Sequence, residues 1–186
     1  VGLALLTGTG APRDTARGAT LLSDLAVNGD AELALVLAEE LSGPDPLEAY
    51  RWALDASTAK VRGGAALLDR LEQVIGTGSA LRIQSENETG NTASITDPAE
   101  MRRLAQAYVD GRGVSRSYSR ALYWGLLAAA AGDPAAQPIL DELDARMAFA
   151  PAATEALWSD LESRAREAAT EVWINDDLPA KLSPED

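Results

Sequence analysis

Apolar and polar positions follow a helical spacing along most of the chain, and the clearest stretch runs from Met101 to Ala136. Leu104, Ala105 and Tyr108 fall within about 100° of one another when each residue advances about 100°, so they form one narrow face of a first helix. Gly111 and Gly113 break that helix, because glycine tolerates positive φ and loses most by being ordered inside a helix. Ser117 is then placed to cap a second helix, in which Ala121, Trp124, Ala128, Ala129 and Gly132 recur on one side. Small residues around one large ring let two helices approach closely and still fill the gap. Gly132 closes the second helix and Asp133 opens the next.

The same spacing returns elsewhere. Gly8, Gly10, Asp14, Gly18, Leu21, Leu25, Ala26 and Gly29 lie 103 positions before Gly111, Gly113, Ser117, Ala121, Trp124, Ala128, Ala129 and Gly132. Asp14 supplies the capping acid that the later copy lacks, and Leu21 takes the tryptophan place, which predicts a smaller interface there. A third copy has a helix over Ala31–Leu41, a short turn at Ser42-Gly43-Pro44, and then Asp45, Ala49, Trp52, Ala56 and Ser57. Trp52 and Trp124 are 72 residues apart, two periods of 36, which is how a repeat array reads.

Gly111, Gly113, Val114, Ala121, Trp124, Ala128, Ala129, Gly132 and Ala136 together resemble the Sel1-like repeat (SLR), an α/α unit related to the tetratricopeptide repeat (TPR). One departure is Ser117, where the family has Asp. Another is Lys60, where the family has glycine, so the turn there is expected to shift toward Gly63-Gly64. The resemblance implies an all-α fold, a right-handed α/α solenoid of SLR/TPR-like helix pairs with a C-terminal capping helix. Within it, Ala49, Trp52, Gly111, Gly113, Ala121, Trp124 and Gly132 form the repeat core.

The chain divides accordingly. Residues 1–75 form a first SLR block of about two repeats, and 98–148 form a second. Residues 76–97 are a polar loop or a degenerate helix, and the loop is favoured because the period places Ser85, Glu88, Thr92 and Ala93 where a second helix needs bulk. A helix over 149–175 carries Leu157, Trp158, Leu161, Ala165, Ala168, Ala169, Val172 and Trp173 as one stripe. It follows no repeat pattern and reads as the cap on an open end of the stack. Residues 176–186 are a polar tail.

Composition narrows the chemistry. Among 186 residues, 46% are hydrophobic but only 5% aromatic, so the core consists of closely spaced helices rather than stacked rings. A net charge of −13 disfavours nucleic acid, whose phosphates need cations. The absence of histidine and cysteine removes Ser-His-Asp and Cys-His catalysis, thiolate chemistry and the commonest transition-metal ligand. Adjacent acids such as Glu39-Glu40 and Asp176-Asp177 diverge on a helix and lack the spacing of a calcium loop, so they read as solvated faces. No cofactor or metal is expected. No apolar run is long enough to span a membrane. Val1 lies inside a repeat, which points to further sequence upstream and leaves a periplasmic or envelope location slightly favoured over the cytoplasm.

The charge is uneven. From Met101 to Trp124, Arg102, Arg103, Arg112, Arg116 and Arg120 face only Asp110, whereas the chain from Asp133 onward is strongly acidic. The Ala/Asp/Arg-rich composition suggests a bacterial origin, and the resemblance implies a non-enzymatic protein-interaction scaffold, with the first helix of each pair lining a concave surface. On that helix Arg103, Gln106 and Asp110 lie opposite the packed face, with Arg102 at the flank, so these four are the expected contacts to another protein. The alternative is a carbohydrate-binding or enzyme-associated module of an envelope or exopolysaccharide system.

Overall fold

The computed structural model describes residues 1–86, 95–148 and 152–175, with side chains of the last segment over 154–170. Among the described residues 78% are helical, with ten α-helices and no strand, an all-α repeat fold. The expectations for 87–94, 149–151, the tail 176–186 and the side chains of Val172 and Trp173 lie outside the described residues.

Contacts divide the chain into two compact units. The first comprises Val1–Ala80 with Gly111–Ser115, and the second comprises Leu81–Asp110 with Arg116–Asp186. In the first, α1 (Gly2–Thr7), α2 (Thr15–Val27), α3 (Ala31–Leu41), α4 (Pro46–Thr58) and α5 (Gly64–Ile75) pack in sequence, each on its neighbour. In the second, α7 (Pro98–Asp110) packs on α8 (Tyr118–Ala130), and α9 (Gln137–Met147) and α10 (Ala152–Asn175) both pack on α8. The unit boundary falls within α6 (Thr77–Glu86).

The two copies read from the glycine spacing share their turn geometry. Gly8 and Gly10 have φ of 78° and 80°, and Gly111 and Gly113 have 66° and 79°. Such values suit glycine because any Cβ would strain them. The Asp14 amide donates to Leu5 O, and 103 residues later the Ser117 amide donates to Tyr108 O. Side-chain oxygens then cap the second helices: Asp14 accepts from the Arg17 amide, Asp45 from Glu48 and Ser117 from Arg120. Each cap satisfies one of the amides that a helix start leaves without a partner.

The ends of the second helices match as well. The amides of Asp30, Val61 and Asp133 each reach back to the carbonyl five residues before, at Leu25, Ala56 and Ala128. This is the Schellman closure, and it needs a left-handed residue just before the donor. Gly29 and Gly132 fill that place with φ of 113° and 89°, and Lys60 fills it with φ of 63°. The turn is therefore not displaced toward Gly63-Gly64. The hydrogen-bond pattern outweighs the roughly 1–2 kcal/mol that a side chain costs in this region.

Three further expectations are corrected. Residues 77–86 are helix rather than loop, because Gly76 breaks α5 and restarts the chain early enough to bury Ala80, Leu81 and Ile83. Leu21, in the tryptophan place, is 49% exposed instead of filling an interface. The buried face of α7 is centred on Met101, Ala105 and Val109, and Leu104 and Tyr108 are only partly buried beside it.

The first unit holds close backbone contacts. A Cβ on Gly64 would lie 2.8 Å from the Ser57 amide nitrogen, so α4 and α5 meet almost backbone to backbone. Ser57 is itself buried, and its hydroxyl donates to Gly111 O at 2.5 Å. In the second unit, Trp124, Ala121, Ala128, Leu143, Trp158, Leu161 and Ala165 share one apolar core. Trp158 stands 34 residues after Trp124. The α10 helix thus carries a tryptophan at a repeat-like interval, a feature hidden by the charged residues around it.

Candidate protein-interaction surface

The candidate surface lies on α7, and the structure separates its four expected contacts. Arg103 is exposed, its Nε donating to Ala99 O at 3.2 Å and its guanidinium 3.8 Å from both Asp97 and Glu100. Gln106 and Asp110 are half-buried and bonded to each other, Gln106 Nε2 donating to Asp110 Oδ1 at 3.1 Å. Arg102 does not simply face solvent. Its Nε donates to Asp133 Oδ2 at 2.8 Å, tying α7 to the turn that ends α8.

Asp133 has two duties. Its Oδ1 accepts from the Ala135 amide and caps the 3₁₀ turn Pro134–Ala136, and its Oδ2 takes the Arg102 hydrogen bond. The Arg102 hydrogen bond, followed by the Ala135 amide and the Arg102 charge, holds the Asp133 carboxyl below the usual carboxylate range against the opposing effect of burial. A lowered folded-state pKa favours folding once pH exceeds the unfolded value of about 3.9. That contribution is lost as pH falls through the depressed folded value. Arg102→Gln should therefore cost stability near neutral pH, and the cost should shrink on acidification below about pH 4. Urea midpoints at several pH values measure this, and a cost that grew with acidification would contradict it.

Two other arginines of the basic stretch are also engaged. Arg116 is buried, with Nη2 donating to Asp110 O. Arg120 lies over the Tyr108 ring, 5.7 Å from its centre, and donates to the phenol oxygen. Arg103 and Arg112 are the exposed ones, and Arg112 belongs to the first unit. Sequence spacing showed five cations together and could not show that three are turned to internal partners.

The repeat-core residues are placed as follows. Ala49 and Ala121 are fully buried, Trp52 is 7% exposed and Trp124 3%. Gly111 is buried in its turn, and Gly113 and Gly132 are exposed. Among the described residues no group of histidine, cysteine and acids is arranged to hold a metal ion. Nor is any helix there long and apolar enough to cross a membrane.

The recurrent turn, cap and Schellman closure define the unit. The Sel1 repeat family model matches residues 1–23 and 101–133, the two segments whose turns superpose in φ and hydrogen bonding. Both segments are Sel1-like repeats. No curated protein and no solved structure shows a significant match. Sel1 repeats generally mediate protein–protein interaction and are not typically catalytic. The matched segments bracket α3 to α6, where the helix pair α3/α4 keeps the same cap and closure without the paired glycines.

Proposed function

We propose that this protein is a non-enzymatic adaptor of bacterial origin that binds a protein partner through the exposed face of α7, with Arg103 and Gln106 in the contact. The observation that carries the reading is the exposure of Arg103 on a Sel1 repeat whose Arg102, Arg116 and Arg120 are all turned to internal partners. An exposed cation in a chain of net charge −13 draws an acidic patch on the partner. As the first helix of its pair, α7 occupies the place that the family resemblance assigns to the concave side. Arg102 supports this face by fixing α7 and contributes little direct contact.

The test uses the full chain as bait, identifies the captured partner, and then measures affinity for it. Arg103→Glu should weaken binding about fivefold or more, the effect of removing and reversing one exposed ion pair. The salt dependence should fall with it. Arg164→Glu, on α10 and paired with Asp160, is the control that should leave affinity unchanged. A folded Arg103→Glu protein with undiminished affinity places the contact elsewhere.

A further inference from the structure

A groove of about 450 Å³ lies in the first unit between α2 and the start of α4. It exists because α2 presents only small side chains here, Ala16 and Ala19 among them, opposite Trp52. Its volume falls in the range of about 300–1,000 Å³ typical of binding clefts. Leu41, Pro44 and Trp52 give it an apolar side.

The polar side is built almost entirely of acceptors. Thr20 spends its hydroxyl proton on Ala16 O and Ser23 spends its own on Thr20 O, which leaves both oxygens as acceptors in the lining. Asp45 uses one carboxylate oxygen to cap α4. Glu48 has only a loose pairing with Arg51, at 3.8 Å, and remains half-exposed. No lysine or arginine lines the groove. A cleft that offers acceptors and negative charge beside an apolar wall suits a group with donors only, positive charge and an apolar stem. Arginine has that chemistry, with five donors and a planar head that lies flat on rings.

We propose that this groove receives an arginine side chain of a partner protein, its guanidinium between Glu48 and the α2 hydroxyls and its stem against Pro44 and Trp52. The site is independent of the α7 face, takes the opposite charge, and lies in the other unit. An acidic chain with an exposed arginine on α7 and an acceptor cleft on α2/α4 can thus read two differently charged segments of one partner.

The probe is acetyl-Ala-Arg-Ala-amide added to the ¹⁵N-labelled chain, followed by amide and indole shifts. Saturable shifts are expected at Thr20, Ser23 and Glu48 and at the Trp52 indole. The citrulline counterpart, of the same shape without the charge, should bind much more weakly, and acetyl-Ala-Glu-Ala-amide not at all. Glu48→Gln should weaken the arginine peptide about fivefold, as expected for one exposed charge contact. This substitution is not expected to unfold the chain. Burial, and then the charge of Glu48, raise the Asp55 carboxyl pKa, so the change relieves a repulsion. Arg103→Glu should leave the peptide titration unchanged, so failure here and failure of the α7 contact are separately visible. Absence of saturable shifts at these positions, equal binding of the citrulline peptide, or full affinity in a folded Glu48→Gln chain would each overturn the site.

Discussion

Truncating Trp124 to alanine is expected to lower the stability of the second unit by about 3–5 kcal/mol, the usual cost of emptying a large buried aromatic site. The ring is 3% exposed and meets Tyr123 edge to face with centroids 5.1 Å apart. Ala121 and Ala128 above and below it are fully buried and have no methylenes to move into the void. Since a domain is held by only about 5–15 kcal/mol, such a loss takes a large share of what keeps this unit folded. Leu21 occupies the same repeat place in α2 but is half-exposed. Leu21→Ala should therefore cost less than about 1 kcal/mol, as surface changes do. Urea unfolding of both variants gives the comparison, and similar losses for the two would contradict the different burial of the two copies.

Gly18→Ala should destabilise the α1/α2 pair by about 1–3 kcal/mol, although alanine is the better helix former by about 1 kcal/mol. A Cβ at Gly18 would sit 2.6 Å from the Leu6 nitrogen and 2.8 Å from its Cα. Both are backbone atoms of the facing helix and cannot swing aside. The later copy shows what the glycines do. Gly2 and Gly18 stand where Ala105 and Ala121 stand in α7 and α8, so the first pair lacks both methyl groups across its contact and closes further. Gly10→Ala would probe turn strain instead, since nothing lies within 4 Å of a Cβ there. A stabilised Gly18→Ala protein would mean that α1 is not packed on α2 as described.

Most of the fold is legible in the sequence where physical chemistry leaves a single residue type no choice. The paired glycines, the capping Asp14, Asp45 and Ser117, and the tryptophans flanked by alanine all mark places that tolerate few substitutes. The reading fails where several residue types satisfy one geometry. Lys60 shows that a Schellman closure can hold a lysine at positive φ, so the missing glycine did not mean a moved turn. The α6 helix was hidden because its buried residues, Ala80, Leu81 and Ile83, start a full turn before the position that the period predicts. On the candidate surface, helical geometry places Arg102 and Arg103 on neighbouring flanks of α7. It cannot tell that Asp133, 31 residues on, claims one and leaves the other exposed. The acceptor groove is invisible in the sequence because it joins residues of α2 and α4 through their packing, with no shared motif.

The helix, turn and helix of the two Sel1-matched segments returns in α3/α4 with the same cap and closure, even where the sequence departs from the family pattern. Backbone NMR of the intact protein tests it most directly, through carbon secondary shifts and φ-dependent couplings. Positive φ is expected at Gly8, Gly10, Lys60, Gly111 and Gly113, with helical shifts across Thr77–Glu86. Coil-like shifts over 77–86 together with negative φ at Lys60 would contradict it, and would confine the repeat to the two segments where the glycines stand.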